Sequence, residues 1–285
     1  MRLASYNIQY SKGKDGKFDL ARIARAVDGA DVIALQEVER GWKRSGQADQ
    51  AAELARLLPA YHWVYGPGAD MAMKGAPPGA MRRQFGNMLL SKSPILASRN
   101  HMLPKFGSLT QYSLQRCALE GVVATPFGPV RFYSIHLTHV DDTSRLPQVE
   151  AILDIHRRAY GEGGAWCGTH REVAWTEGEP PPPMPREAIL MGDFNFPPSS
   201  PLYERFVGPM SEEYGRCNHV EGFVDAWVAA GNREGEGVTC IDDLGISKRI
   251  DYCYVSSSLV GHIRRAWIDN DAVGSDHQPI WTELG

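Results

Sequence analysis

The opening of the chain constrains its fold more than any other part. "RLASYNI" is a short strand starting almost at the first residue, and "FDLARIARAVDGA" carries Leu20, Ile23, Ala24 and Val27 at helical spacing before closing on Gly29. "DVIALQEV" is a near-continuous apolar run, which predicts a buried strand, and "QADQAAELARLLPA" predicts a second helix stopped by Pro59. Two strand–helix alternations in succession imply an α/β or layered α+β domain. The middle turns strand-rich, through "YHWVYG", "GNMLLSKS", "PILASRNHML", "QRCALEGVVAT" and "PVRFYSIHL". A helix follows in "SRLPQVEAILDIHRRAY", with Leu146 and Pro147 in an early turn. Strands return in "RIDYCYVSS", "HIRRAWID" and "QPIWTEL", and no internal repeat is visible.

Seven Trp, nine Phe and eleven Tyr among 285 residues supply the bulk for a sizeable core. A single domain over residues 1–285 is the expectation, with two loop insertions. Residues 66–86 are rich in Gly, Pro and Met, and residues 161–187 end in a proline run. Neither has the periodicity of a packed element, and the second reads either as a lid over a site or as a surface insertion.

The formal charge of −4 argues against a protein that coats nucleic acid non-specifically, while leaving a local basic groove open. The start of the chain lacks the apolar core of a signal peptide, and no run reaches the ~18 apolar residues of a membrane span. Five scattered cysteines fit reduced thiols better than a disulfide framework or a zinc site. The expectation is a cytoplasmic protein with no stable membrane insertion and no obligate protein partner.

In "MGDFNFPP", Asp193 and Asn195 stand two apart between a glycine and two prolines, after the apolar run from Ala188 to Met191. Residues two apart on a strand face the same side, so both are expected to point at one spot near the strand's end. Pro197 and Pro198 cannot continue a ladder and end the strand there. A capped turn uses the same residues, and for this stretch alone it is the stronger reading. Polar residues gather at the other strand ends too. Asn7 ends the first strand, Glu37 ends the second after Gln36, and His136 ends "FYSIHL". Asp251 lies inside "RIDYCYV", and Asp276 and His277 form "GSDHQP" ahead of the last strand. Singly, each has a plain structural reading: Glu37 a charge approaching a helix, His136 a satisfied core histidine, Asp251 a partner for Arg249. Together they point to a site.

Hard divalent cations such as Mg²⁺ take carboxylate oxygens and keep waters for substrate phosphate, and Glu37, Asp193 and Asp276 can supply those oxygens. Histidines and amides donate to phosphate oxygens, and a His–Asp pair positions a proton. The chemistry implied is metal-assisted attack of water on a phosphate ester. The phosphate loop GxxxxGK[ST] is absent, which disfavours a nucleotide-driven kinase or ATPase, and no G-x-S-x-G elbow presents a nucleophile.

"SYNIQY", "IALQEVE", "GNMLLSKSPI", "IHLTH", "MGDFNFPP", "RIDYCYVS" and "GSDHQPI" resemble, in order, the motifs of the endonuclease/exonuclease/phosphatase superfamily. That group includes DNase I, exonuclease III-type nucleases, neutral sphingomyelinases, inositol polyphosphate phosphatases, deadenylases and tyrosyl-DNA phosphodiesterases. The motifs run from residue 5 to 280, nearly the whole chain. The resemblance implies a DNase I-like four-layer αββα sandwich, two mixed β-sheets face to face with helices outside. It implies Mg²⁺, for which Mn²⁺ can substitute, held chiefly by Glu37, with Asn7 on metal or phosphate and Asp276 as a second, direct or water-mediated, contact. It further implies that Asp193 orients or deprotonates the attacking water and that Asn195 binds a phosphate oxygen. By the same resemblance His277, steadied by Asp251, contacts the scissile phosphate, and His136 assists the leaving group or clamps phosphate. Whether Asp193 or His277 is the base stays open.

Within the superfamily, the sequence departs from the N-G-[LIV]-R-like stretch of exonuclease III-type enzymes, reading Asn7-Ile8-Gln9-Tyr10 instead. "SIHLTHVDDTSRLPQVEAI", with Arg145 and Gln148 in place, is closer to sphingomyelinase-like and related bacterial members. The partner expected is a phosphodiester substrate: a small molecule or lipid headgroup first, with a nuclease on DNA or RNA as the alternative. A non-catalytic binding scaffold is disfavoured because Glu37, Asp193 and His277 are all present.

Overall fold

The structure is a computed structural model describing residues 1–242 and 244–285. In chain order the strands of the first half are β1 (Arg2–Asn7), β2 (Val32–Arg40), β3 (His62–Met71), β4 (Arg83–Ser91), β5 (Ile95–Met102), β6 (Cys117–Thr125), β7 (Gly128–His136) and β8 (Ala188–Asp193). There follow β9 (Met210–Ser211), β10 (Gly215–Arg216), β11 (Phe223–Asp225), β12 (Cys240–Ile241), β13 (Ser247–Lys248), β14 (Asp251–Ser256), β15 (Ile263–Ile268) and β16 (Ile280–Leu284). The helices are α1 (Leu20–Val27), α2 (Gln50–Leu57), α3 (Asp142–Glu162), α4 (Pro201–Val207) and α5 (Ala226–Ala229). Side chains of Asp19, Asp49, Asp141 and Ser200 cap the first four helices, each accepting from backbone N–H groups of the first turn.

Two six-stranded sheets, β15-β16-β1-β2-β4-β3 and β11-β14-β8-β7-β6-β5, carry the fold. Each is mixed, with one parallel pair at its middle, β1 with β2 and β7 with β8. α1 and α2 bury Ile23, Val27, Ala51 and Leu54 against the outer face of the first sheet. α3 and α4 bury Val149, Ile152, Leu202 and Phe206 against the outer face of the second. The facing sides share a core of Leu3, Val32, Ala34, Leu89, Phe132, Ile189, Met191 and Cys253. The result is the expected four-layer αββα sandwich.

Strand parity explains where the polar residues go. Leu3 faces the inter-sheet core while Ala4 and Tyr6 face the helices, so Asn7 continues the inter-sheet row. The same count puts His136 in line with Phe132, Asp193 with Ile189 and Met191, and Asp251 with Cys253 and Val255. At the end of the sandwich the apolar rows from both sheets thus turn into polar ones that face each other.

Three expectations need correcting. Residues 66–86 are not one loop, because β3 runs to Met71 and β4 begins at Arg83. Their glycines mark close backbone packing, which obscures any side-chain periodicity: a Cβ on Gly86 would lie 2.1 Å from the Gly66 carbonyl oxygen on the paired strand. Glu37 does not end its strand, which continues to Arg40 through an irregularity in register between Leu35 and Val38. Asn195 lies beyond β8 with φ +57°, so strand alternation with Asp193 does not apply to it.

The segment 161–187 joins the end of α3 to the start of β8, whereas Asp193 sits at the other end of that strand. At ~3.3 Å per residue that is roughly 16 Å away. Its Met184 packs with Val122, Ala159 and Ala97 along the sandwich. Both ends of the segment are thus held away from Asp193, which favours the surface-insertion reading over the lid.

Candidate active site

The two central parallel pairs deliver the site. His136 and Asp193 are lateral partners at the ends of β7 and β8, and Asp251, the first residue of β14, pairs with Asp193 from the other side. Gly192 makes this approach possible, because a Cβ there would lie 1.9 Å from the Ile135 carbonyl oxygen. From the opposite sheet, Asn7 Nδ2 donates to Asp193 Oδ2 at 3.0 Å and to Glu37 Oε1 at 3.4 Å. Asn7 therefore ties together one acid from each sheet. Glu37 reaches this spot through the irregularity in β2: its φ of +60° turns onto the site a side chain that regular alternation would send toward the helices. Gln9, Tyr10, Ser11 and Asn195 also have positive φ, so left-handed non-glycine backbone gathers here, as stored strain does at functional sites.

Two imidazoles flank Asp193 Oδ2, His136 Nε2 at 3.4 Å and His277 Nε2 at 3.8 Å. Their other ring nitrogens meet opposite partners, a donor for His136 and an acceptor for His277. Arg116 Nη1 lies 2.8 Å from His136 Nδ1, and a guanidinium can only donate, so Nδ1 accepts and Nε2 carries the proton. His277 Nδ1 lies 2.8 Å from Asp251 Oδ2, which can only accept when ionised, so here Nδ1 carries the proton. Burial and the Arg116 charge hold His136 well below the ordinary histidine value. Burial pulls His277 down as well, but the charge and hydrogen bond of Asp251 carry it well above that value. Burial and the neighbouring Asp251 carboxylate push Asp193 up to about 7. Burial also raises Glu37, against the pull of Arg116 and His277.

The remaining expected residues sit at the rim. The Asn195 backbone N–H donates to Asp193 Oδ1 at 2.9 Å, and its side-chain Nδ2 donates to the Leu137 carbonyl at 3.1 Å. The capped-turn reading and the site reading of "GDFN" are thus both realised, because the turn fixes the carboxylate. Asp276 is held by Gln9 Nε2 at 2.6 Å and lies 3.1 Å from Ser275 Oγ, whose hydroxyl also meets the Asn7 carbonyl at 2.7 Å. Its hydrogen bonds are with these neighbours rather than with Asp193. Arg116, Gln9 and Ser275 went unread in the sequence. Arg116 precedes β6 in "QRCALEGV", so attention to strand beginnings as well as strand ends would have found it.

Among the described residues, Asp193, Asp251 and His277 form one group whose ligand atoms lie within 4.8 Å of one another, a possible metal site. Among the described residues nothing hydrogen-bonds the buried Asp251 Oδ1, which suits a site meant to take a cation or polar ligand. This group differs from the expected set of Glu37, Asn7 and Asp276, and its His277–Asp251 contact is already spent on a hydrogen bond.

The profile of the Endonuclease/Exonuclease/phosphatase family matches residues 4–277. The chain belongs to the endonuclease/exonuclease/phosphatase family. Members of this family are hydrolases of phosphate esters, generally dependent on a divalent metal. The fold is shared with an endonuclease/exonuclease/phosphatase from Beutenbergia cavernae, 21% identical with TM-score 0.66, covering 100% of this chain and 72% of that one. It is shared with a mannosyl-6-phosphatase from Bacteroides thetaiotaomicron, 19% identical with TM-score 0.66 over 100% and 99% of the two chains. A 3′ phosphatase from Neisseria bound to product DNA hairpin matches at 17% identity and TM-score 0.57, over 100% of this chain and 99% of that one. The comparison with curated proteins returns no match. Among the described residues no helix is long and apolar enough to cross a membrane.

Proposed function

We propose that this family member hydrolyses a phosphodiester by attack of an activated water on phosphorus, with a small or lipid-derived diester favoured over nucleic acid. The observation that carries this reading is the Asp193 carboxylate flanked by two imidazoles in different protonation states, His136 neutral and His277 charged. Asp193, with its proton affinity raised to about 7, is matched to taking a proton from water near neutral pH. His277, charged and anchored by Asp251, offers Nε2–H to a phosphoryl oxygen where negative charge grows. His136, held neutral by burial and Arg116, offers Nε2–H to a phosphoryl or leaving oxygen. Asn195 Nδ2 keeps a second hydrogen for phosphate after its bond to Leu137. Glu37, Asn7 and Asp276 would hold Mg²⁺ or Mn²⁺, the hard-oxygen set such ions take. When bound, that ion supplies Lewis-acid polarisation of the phosphoryl group and offsets the crowded carboxylates.

Two of the neighbours are named as phosphatases, so monoesters stand as the second reading. The test is hydrolysis of bis(p-nitrophenyl) phosphate with Mg²⁺ and with EDTA. Lipid-headgroup diesters, phosphomonoesters, plasmid, abasic duplex and single-stranded RNA follow in parallel. Metal-dependent turnover of small diesters is expected. Turnover confined to nucleic acid or to monoesters overturns the substrate assignment, and no metal-dependent turnover of any ester overturns the reaction.

A further inference from the structure

β7 ends at His136, and at Thr138 side chains rather than a neighbouring strand hold the backbone. Both come from α3. Gln148 Oε1 accepts from the Thr138 backbone N–H at 2.9 Å, and Arg145 Nη1 donates to the Thr138 carbonyl at 3.1 Å. Three apart on the helix, Arg145 and Gln148 share a face, and both are buried. The other end of the Gln148 amide reaches a different segment, where Nε2 donates to the Pro104 carbonyl at 2.9 Å. Pro104 stands near the start of the connection from β5 to β6, and Arg116 is its last residue. The two ends of that connection close on each other. Leu103 N–H donates to the Arg116 carbonyl at 3.0 Å, and Gln115 Nε2 donates to the carbonyls of Leu103 at 2.7 Å and Arg116 at 3.0 Å. One buried amide therefore spans the segment that follows His136 and the segment that carries Arg116.

We propose that Gln148 is a positioning residue for His136: its amide sets the spacing of the two segments that bring Arg116 Nη1 to His136 Nδ1, with Gln115 clamping the Arg116 side. This role rests on the phosphoester reading of the site, in which His136 Nε2–H meets a phosphoryl or leaving oxygen. The hydrogen bonds of Gln148 go to backbone on both sides, so it acts through Arg116 and His136 rather than on substrate. The contact it guards is a sensitive one, because a hydrogen bond of 2.8 Å is lost when its partners part by about an ångström. An apolar side chain at 148 would leave the Thr138 N–H and the Pro104 carbonyl to find other partners, and the two segments would drift. His277 is held by Asp251 and a bridge to Cys240, on other elements, and should not respond.

The test is a double-mutant cycle, read on bis(p-nitrophenyl) phosphate and in nitrogen-15 spectra of the imidazole rings. Gln148→Met keeps the length of the side chain and removes both bonds. It is expected to lower kcat by about tenfold or more. The His136 ring should change from a single Nε2–H form in wild type to a mixture of tautomers, with the His277 ring unchanged. Arg116→Met already cuts the contact, so adding Gln148→Met to it should cost little more. Gln115→Met, at a partly exposed position that threatens folding less, should move the same ring and the same rate in the same direction. A purely structural Gln148 gives the opposite pattern, with additive losses and both imidazoles disturbed alike. That pattern, or an unchanged His136 ring in both glutamine variants, overturns the proposal. If wild type hydrolyses no ester, the phosphoester reading falls, and the ring spectra still decide whether Gln148 sets the Arg116–His136 contact.

Discussion

Asp193 and Asp251 are directly opposed on β8 and β14, and His277 reaches both, at 3.8 Å from one and 2.8 Å from the other. Two carboxylates this close cannot both be comfortably charged in a buried setting, and the imidazole between them divides their roles. Asp251 takes the His277 Nδ1 proton as a hydrogen bond, and Asp193 is the member whose proton affinity rises.

Removing the Asp193 charge separates catalysis from stability. Asp193→Asn should lower kcat by about a hundredfold or more, the range of a positioned acid–base group. The folded chain keeps the Asp193 proton up to about 7, while the ordinary value is 3.8. Between those values the folded state binds more protons than the unfolded state, so this group makes stability fall as pH rises and levels off above the window. His277 acts in the same direction, because its raised value gives stability that is full below 6.5 and lost as pH climbs through the folded value. Urea melts in EDTA should therefore show Asp193→Asn gaining on wild type from pH 5 to pH 8. A difference that shrinks across that range would refute the assignment.

Glu37→Gln tests the metal assignment. The substitution keeps the shape and the bond from Asn7 but removes the charge a hard cation needs. Calorimetric titration with Mg²⁺ or Mn²⁺ should show binding severely weakened, with activity lost in parallel. An unchanged binding curve would shift the ion to the Asp193, Asp251 and His277 group.

Arg116→Met tests the wiring of His136. Without the guanidinium, Nδ1 loses its donor and the ring is free to change tautomer. Activity should fall by about ten- to a hundredfold, the cost usual for losing a group that orients an active-site ligand. Nitrogen-15 resonances of the His136 ring should show a single Nε2–H form in wild type and a mixture in the variant. An identical ring spectrum in both would show that Arg116 does not set the tautomer.

Replacing residues 166–181 by a short Gly/Ser turn should leave KM and kcat unchanged. Met184, which holds the segment to the sandwich, lies outside the deletion, and both anchors are remote from Asp193. A large change in KM would restore the lid.

Much of this was legible in the chain itself. Apolar periodicity marked nearly all the long strands and the first three helices, because burial of one face imposes a regular spacing. Asn7, His136, Asp193, Asp251 and His277 stood out for their polarity at the edges of apolar runs, and the structure brings them together. What a linear pattern could not hold was any feature set by a neighbour distant in sequence. The Gly-rich stretch 66–86 resembled a loop because its small residues answer to a backbone on the paired strand. Glu37 faces the site only through an irregularity, and a single break in alternation leaves almost no trace in composition. Arg116 drew no reading in the sequence, because its partner His136 lies twenty positions on and meets it at 2.8 Å only in the fold. Spacing along one strand fixes which face a side chain takes, but contact between strands from two sheets depends on how those sheets pack, and only the tertiary structure decides that.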